Sequence, residues 1–173
     1  MQPSHRSSRI LLPVKPWFIL LSLLVAVTLT AIPFGRFPGM PDWVALALAF
    51  WCVREPLRVG MLVGFLIGLL MDVIDGAVMG QHALAYVLVA YLAGQISRRV
   101  LWFGLLQQSL HILPLLLVSQ VSMLIVRLMA GAVFPGWWYF AGSFVAAMLW
   151  TPLNYLLLLP QFQPVERDEN RPI

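Results

Sequence analysis

The stretch Gly60-Met-Leu-Val-Gly64-Phe-Leu-Ile-Gly68-Leu-Leu-Met-Asp72-Val-Ile-Asp75-Gly76-Ala-Val-Met-Gly80-Gln-His82 sets glycines at 60, 64 and 68, one helical turn apart, with Asp72 continuing their face. Small residues at i and i+4 let two helix backbones approach closely. That matters in lipid, where hydrophobic burial gives helices little drive to associate. The spacing therefore predicts a membrane helix with a bare face, ending in a turn that holds Asp72, Asp75, Gly76 and Gly80. Two uses of that face stay open, packing within the chain's own bundle and a groove for a partner's transmembrane helix.

The rest of the chain fits the same solvent. Of 173 residues, 61% are hydrophobic and 10% charged, with mean hydropathy +0.87, whereas a soluble domain carries roughly 25% charged residues. At roughly 20 residues per span, this length holds about six helices and leaves no stretch for a separate soluble domain. Apolar runs are expected at 17–32, 43–53, 59–71, 82–96, 101–126 and from Trp137 to 159. Pro33-Phe-Gly-Arg36 follows the first run where a signal peptide would offer a small-residue cleavage site, so a retained first helix is expected. The second and third runs are short, but a hairpin dipping into lipid would put Arg54, Glu55 and Arg58 in hydrocarbon at several kcal/mol each. Two tilted spans joined by a surface turn are expected instead. Residues 72–81 read as a polar loop, Pro114 as a kink in the fifth run, and Trp137-Trp138-Tyr139 as an interfacial aromatic anchor.

Placing the N-terminus inside puts Arg6, Arg9, Lys15, Arg54, Arg58, Arg98, Arg99, Arg167 and Arg171 on one side and only Arg36 and Arg127 on the other. This is a strong positive-inside bias. The expected fold is all-α: a polytopic integral membrane protein of about six transmembrane helices with both termini cytoplasmic. It comprises a cytoplasmic N-terminal segment (1–16), a six-helix membrane domain (17–160) and a polar cytoplasmic tail (161–173). The pI of about 9.8 does not point to nucleic acid, because the cations are scattered among apolar runs.

Chemistry-bearing residues are few. Asp72 at the lipid/water boundary is a functional candidate by position, and with Asp75 and His82 it could in principle form a metal site or acid/base pair. Aspartates beside a turn also serve to satisfy backbone donors, and that role is the expectation. Gln107 and His111 share a helix face, with Gln108 adjacent, and such residues commonly hydrogen-bond between helices of a bundle. The single cysteine, Cys52, allows no intramolecular disulfide. A Gly-rich phosphate loop, His-Glu-x-x-His and Gly-x-Ser-x-Gly are all absent from the sequence, so those hydrolase chemistries have no support. No catalytic residue, cofactor or metal is expected. An aspartyl intramembrane peptidase with two outward aspartates would need asparagines nearby, and the only ones are Asn154 and Asn170.

The segment from Gly68 to Tyr86, with its Gly-x-x-x-Asp helix end and Gly76-x-x-x-Gly80 turn before His82, resembles the signature of the bacterial rod shape-determining protein MreD family. Pro41-Asp42-Trp43, Arg54-Glu-Pro-Leu-Arg58, Gln107-Gln108 and Leu149-Trp150-Thr-Pro152 agree with that family in order and spacing. The resemblance implies an inner-membrane subunit of the cell-elongation machinery for lateral peptidoglycan synthesis, with no catalytic residues. It implies MreC as direct partner, and MreB, RodA and a class B penicillin-binding transpeptidase within the same assembly, surrounded by membrane lipid. It also implies a fold similar to the six-helix substrate-binding component of energy-coupling factor transporters. The alternative function is thus a small-molecule-binding component of such a transporter. On the adaptor reading, Gly60, Gly64, Gly68, Asp72, Gly76, Gly80 and His82 are packing or partner-interface candidates, together with Gln107 and His111.

Overall fold

The computed structural model describes residues 14–32 and 39–161. Six α-helices follow one another: α1 (Pro16–Ala31), α2 (Trp43–Arg54), α3 (Met61–Asp75), α4 (Gln81–Val100), α5 (Leu105–Met129) and α6 (Ala141–Leu158). Short 3-10 turns, Trp137–Phe140 and Leu159–Gln161, flank α6, and no strand occurs among the described residues. Arg6, Arg9, Arg36, Arg167 and Arg171, most of the N-terminal segment and nearly all of the tail lie outside the described residues.

Helix α2 is the axis of the bundle. Residues 44–53 are all buried, and α1, α4, α5 and α6 pack around them. A helix apolar on every side has no polar face to show, so burial on all sides suits it. Ala45, Ala47 and Ala49 let neighbours approach between the larger side chains. Asp42 caps its start, accepting from the Ala45 N–H at 2.9 Å. The Trp51 indole N–H donates to Ser22 on α1 at 2.7 Å, and Phe50 lies 6.0 Å from Trp150 of α6, centre to centre. At 12 residues and 1.5 Å per residue, α2 is about 18 Å long, too short for a 30 Å hydrocarbon core. Other helices enclose it along its length.

The outer surface is apolar. Leu62, Leu66 and Val73 of α3 and Met148 of α6 are well exposed, a distribution that fits lipid. Helix α5 and the segment Trp137–Gln161 are each long and apolar enough to cross a membrane. Trp137 and Trp138 are exposed where α6 begins.

Several expected boundaries shift. Helix α3 runs on to Asp75, so Asp72 and Asp75 occupy its last turn and not a loop. Helix α4 continues to Val100, placing Arg98 and Arg99 in its final turn, where cations complement the helix dipole. Helix α5 passes through Pro114 as one continuous helix.

Candidate functional site

The tightest packing in the bundle lies between α3 and α4. A Cβ added at Gly64 would stand 2.8 Å from the Tyr86 carbonyl oxygen, and one at Gly68 would stand 2.6 Å from the Ala83 nitrogen and 2.7 Å from the His82 carbonyl carbon. The face expected to be bare is therefore filled by α4, backbone against backbone. Gly60, by contrast, has only the Pro56 carbonyl at 3.7 Å. Gly76 (φ +60°) ends α3 in the left-handed conformation, and Gly80 (φ +95°) opens α4 the same way. Both conformations favour glycine.

This close approach brings Asp72 to the first turn of α4. The Asp72 carboxylate is buried and accepts three N–H groups of its own chain: the Gly80 amide at 2.8 Å, the His82 amide at 2.7 Å and the His82 ring Nδ1 at 2.9 Å. Two orphan donors at the α4 N-terminus are thus satisfied by a carboxylate placed where the dipole favours negative charge. The far ring nitrogen of His82, Nε2, lies 3.5 Å from Asp75. His82 is therefore set between two carboxylates, one buried and one partly exposed. Among the described residues no group of three or more His, Cys, Asp or Glu is arranged to hold a metal ion.

Behind His82, the Tyr86 hydroxyl lies 3.1 Å from both oxygens of Asp42, joining α4 to the start of α2. Burial pushes the Asp42 carboxyl above its ordinary value, partly offset by the Ala45 N–H, the nearby His82 and the Tyr86 hydroxyl. Beside these groups opens a cleft of about 660 Å³, bounded by Asp42, Asp75 and Gln81 and, from α5, by Gln120 and Arg127. Among the described residues Arg127 has no carboxylate within ion-pair distance. Gln120 is fixed by α6 and the turn before it: its amide donates to the Tyr139 carbonyl at 3.1 Å, and its oxygen accepts from Ser143 at 2.7 Å.

Gln107 and His111 lie elsewhere, toward the start of α5. His111 bonds the Gln107 carbonyl of its own helix at 2.7 Å and stacks on Phe103 at 4.8 Å. The bond between helices belongs instead to their neighbour Gln108, whose oxygen accepts from the Trp150 indole on α6 at 3.2 Å. Asp42, Tyr86, Gln120 and Arg127 escaped the sequence reading as a group, because their proximity exists only once α2, α4 and α5 pack together. Pro41-Asp42 ahead of an apolar run was the one local signal, as a helix cap.

The sequence model of the family described as rod shape-determining protein MreD matches residues 8–159. The chain belongs to the MreD family. The rod shape-determining protein MreD of Haemophilus influenzae is 30% identical over 152 residues, covering 84% of this chain and 91% of that protein. No solved structure matches the chain. MreD membership places the chain among membrane proteins that determine rod shape, and the family match spans Asp42, the α3–α4 turn and Arg127 alike.

Proposed function

We propose that the chain is a non-catalytic adaptor of the cell-elongation complex in the inner membrane, crossing it six times with both termini cytoplasmic. In this reading it binds MreC directly and holds it relative to MreB, RodA and the class B penicillin-binding transpeptidase during lateral wall growth. The observation that carries the reading is the Asp72 latch. The most deeply buried carboxylate at this end is fully engaged by its own chain, which makes a rigid frame beside an open cleft carrying charges of both signs. A frame of that kind suits holding a partner in register better than turning over a substrate. With Gly64 and Gly68 covered by α4, the docking surface for MreC shifts from the glycine face to the cleft rim around Asp75, Val78 and Arg127.

A photo-cross-linking residue at Val78, which is half-exposed on the rim, should capture MreC in cells, whereas one at Leu110 near the start of α5 should not. Capture at Leu110 with none at Val78 would overturn the assignment. The cleft also supports a second reading, the small-molecule-binding component of an energy-coupling factor type transporter, since its volume lies in the range of ligand sites. Mild-detergent extraction separates the two: MreC and the synthase copurify on the adaptor reading, a stoichiometric small molecule with coupling ATPases on the other.

A further inference from the structure

Opposite the α4 seam, α3 faces α1 across an apolar groove of about 360 Å³. Its floor is formed by Ile19, Leu23 and Val27 of α1 and by Val63, Ile67 and Leu70 of α3. Arg58 closes one end, and the exposed Lys15 lies beside that end at the start of α1. Arg58 is held in place there, its Nη1 donating to the Val14 carbonyl at 2.6 Å and its Nε standing 3.7 Å from Glu55. A guanidinium has five N–H donors, so these contacts leave others for a ligand, and Lys15 and Arg58 together outnumber Glu55.

The groove's dimensions select its occupant. Its α1 wall runs from Pro16 to Val27, eleven steps of 1.5 Å or about 17 Å, roughly half of a 30 Å hydrocarbon core. An apolar groove of that length suits a single hydrocarbon chain about one leaflet long. Cations stand where that chain's headgroup would lie. We propose that this groove is a binding site for one anionic phospholipid, its acyl chain along Ile19, Leu23, Val63 and Ile67 and its phosphate on Arg58 and Lys15. That the leaflet is the cytoplasmic one rests on the proposed topology; the site itself does not.

The test uses the full chain in nanodiscs of phosphatidylcholine with a minor share of spin-labelled phosphatidylglycerol or spin-labelled phosphatidylcholine, reading the immobilised lipid fraction. The wild type should hold about one phosphatidylglycerol per chain in preference to phosphatidylcholine. A cation near the membrane surface contributes about a fivefold preference for anionic lipid, so Arg58→Gln should lower the preference roughly fivefold. Lys15→Gln, which leaves the Val14 contact intact, should lower it too. Ile67→Trp, which fills the groove, should abolish retention of both lipids. Inorganic phosphate should not compete, since the chain supplies the seat; competition would mean an anion site without a lipid and would overturn the proposal. Equal retention of the two lipids by the wild type would overturn it without any variant, and so would retention unchanged by Ile67→Trp. None of these readings depends on MreC, so they stand apart from the adaptor assignment.

Discussion

On its α4 side helix α3 presents Gly64 and Gly68, and the two backbones meet with no room for a Cβ; on its α1 side it presents Val63, Ile67 and Leu70, and a groove of about 360 Å³ remains. Both neighbours are apolar, and in lipid neither seam is driven together by hydrophobic burial. What differs is whether the side chains allow backbone contact and whether a polar latch locks the result. The α3–α4 seam has both, the glycines along its length and Asp72 at its end. The α1–α3 seam has no such glycines, and its one polar link, Arg58 to the Val14 carbonyl, joins the segments ahead of the two helices and not the helices themselves, so a groove remains between them.

The most severe way to break this contrast is to put a side chain into the tight seam. Gly68→Leu should abolish recovery of folded protein, because the obstruction is the backbone of Ala83 and His82, which cannot move aside as a side chain would. Gly68→Ala should cost about 1–3 kcal/mol as overpacking, and Gly60→Ala less than about 1 kcal/mol, since only the Pro56 carbonyl lies near. Thermal unfolding in mild detergent ranks the three. A Gly60 variant as damaging as Gly68→Ala would mean that the tight seam is not confined to Gly64 and Gly68.

Next comes the latch. Asp72→Asn keeps the shape but replaces an anionic acceptor of three N–H groups with one acceptor oxygen and a donor. A loss of about 1.5–3 kcal/mol is expected, the scale of hydrogen bonds to a charged group. Asp75→Asn should change stability by less than about 0.5 kcal/mol, as a partly exposed group whose one described contact, to His82, is 3.5 Å long. If the two substitutions were equally costly, the asymmetry of burial between these carboxylates would not govern the turn. Rod-shape rescue in cells should follow the same order.

The sequence made the tight seam legible and the loose one invisible. Glycines one turn apart announce close approach, and Asp72 with Gly76 and Gly80 announces a structured turn, because each signal is local and periodic. Which helix fills the glycine face is not local, so the choice between α4 and a foreign helix is decided only in the packed bundle, where the α4 backbone occupies it. The Asp42–Tyr86 pair is separated by 44 residues and has no spacing to read. Of Gln107, Gln108 and His111, periodicity favoured the two that share a face, yet the interhelical bond went to Gln108, whose direction depends on how α5 is rotated against α6. Gln108→Leu should therefore cost about 1 kcal/mol through loss of the Trp150 bond, and Gln107→Leu almost nothing.

The subtlest expected effect, a change in pH dependence, concerns Asp42, where the α4 seam is tied to the central helix. Gly64 packs on the backbone of Tyr86, and the Tyr86 hydroxyl reaches Asp42, so the charge state of Asp42 bears on the seam's anchorage to α2. Burial raises its carboxyl above the unfolded value, so the native state holds this proton more tightly than the unfolded chain does. Its contribution to stability is then present below the unfolded value and is lost as pH rises through the folded one. Asp72, Asp75 and His82 lie close by, so the effect is read just above the ordinary carboxylate range, as the difference between wild type and Asp42→Asn. Asparagine still accepts from the Ala45 N–H and removes the titration, so the variant should lack this share of the wild type's decline in stability with rising pH. Asp42→Ala should instead lose the cap, at about 1 kcal/mol across the whole window. A slope unchanged in Asp42→Asn would leave Asp42 as a helix cap alone.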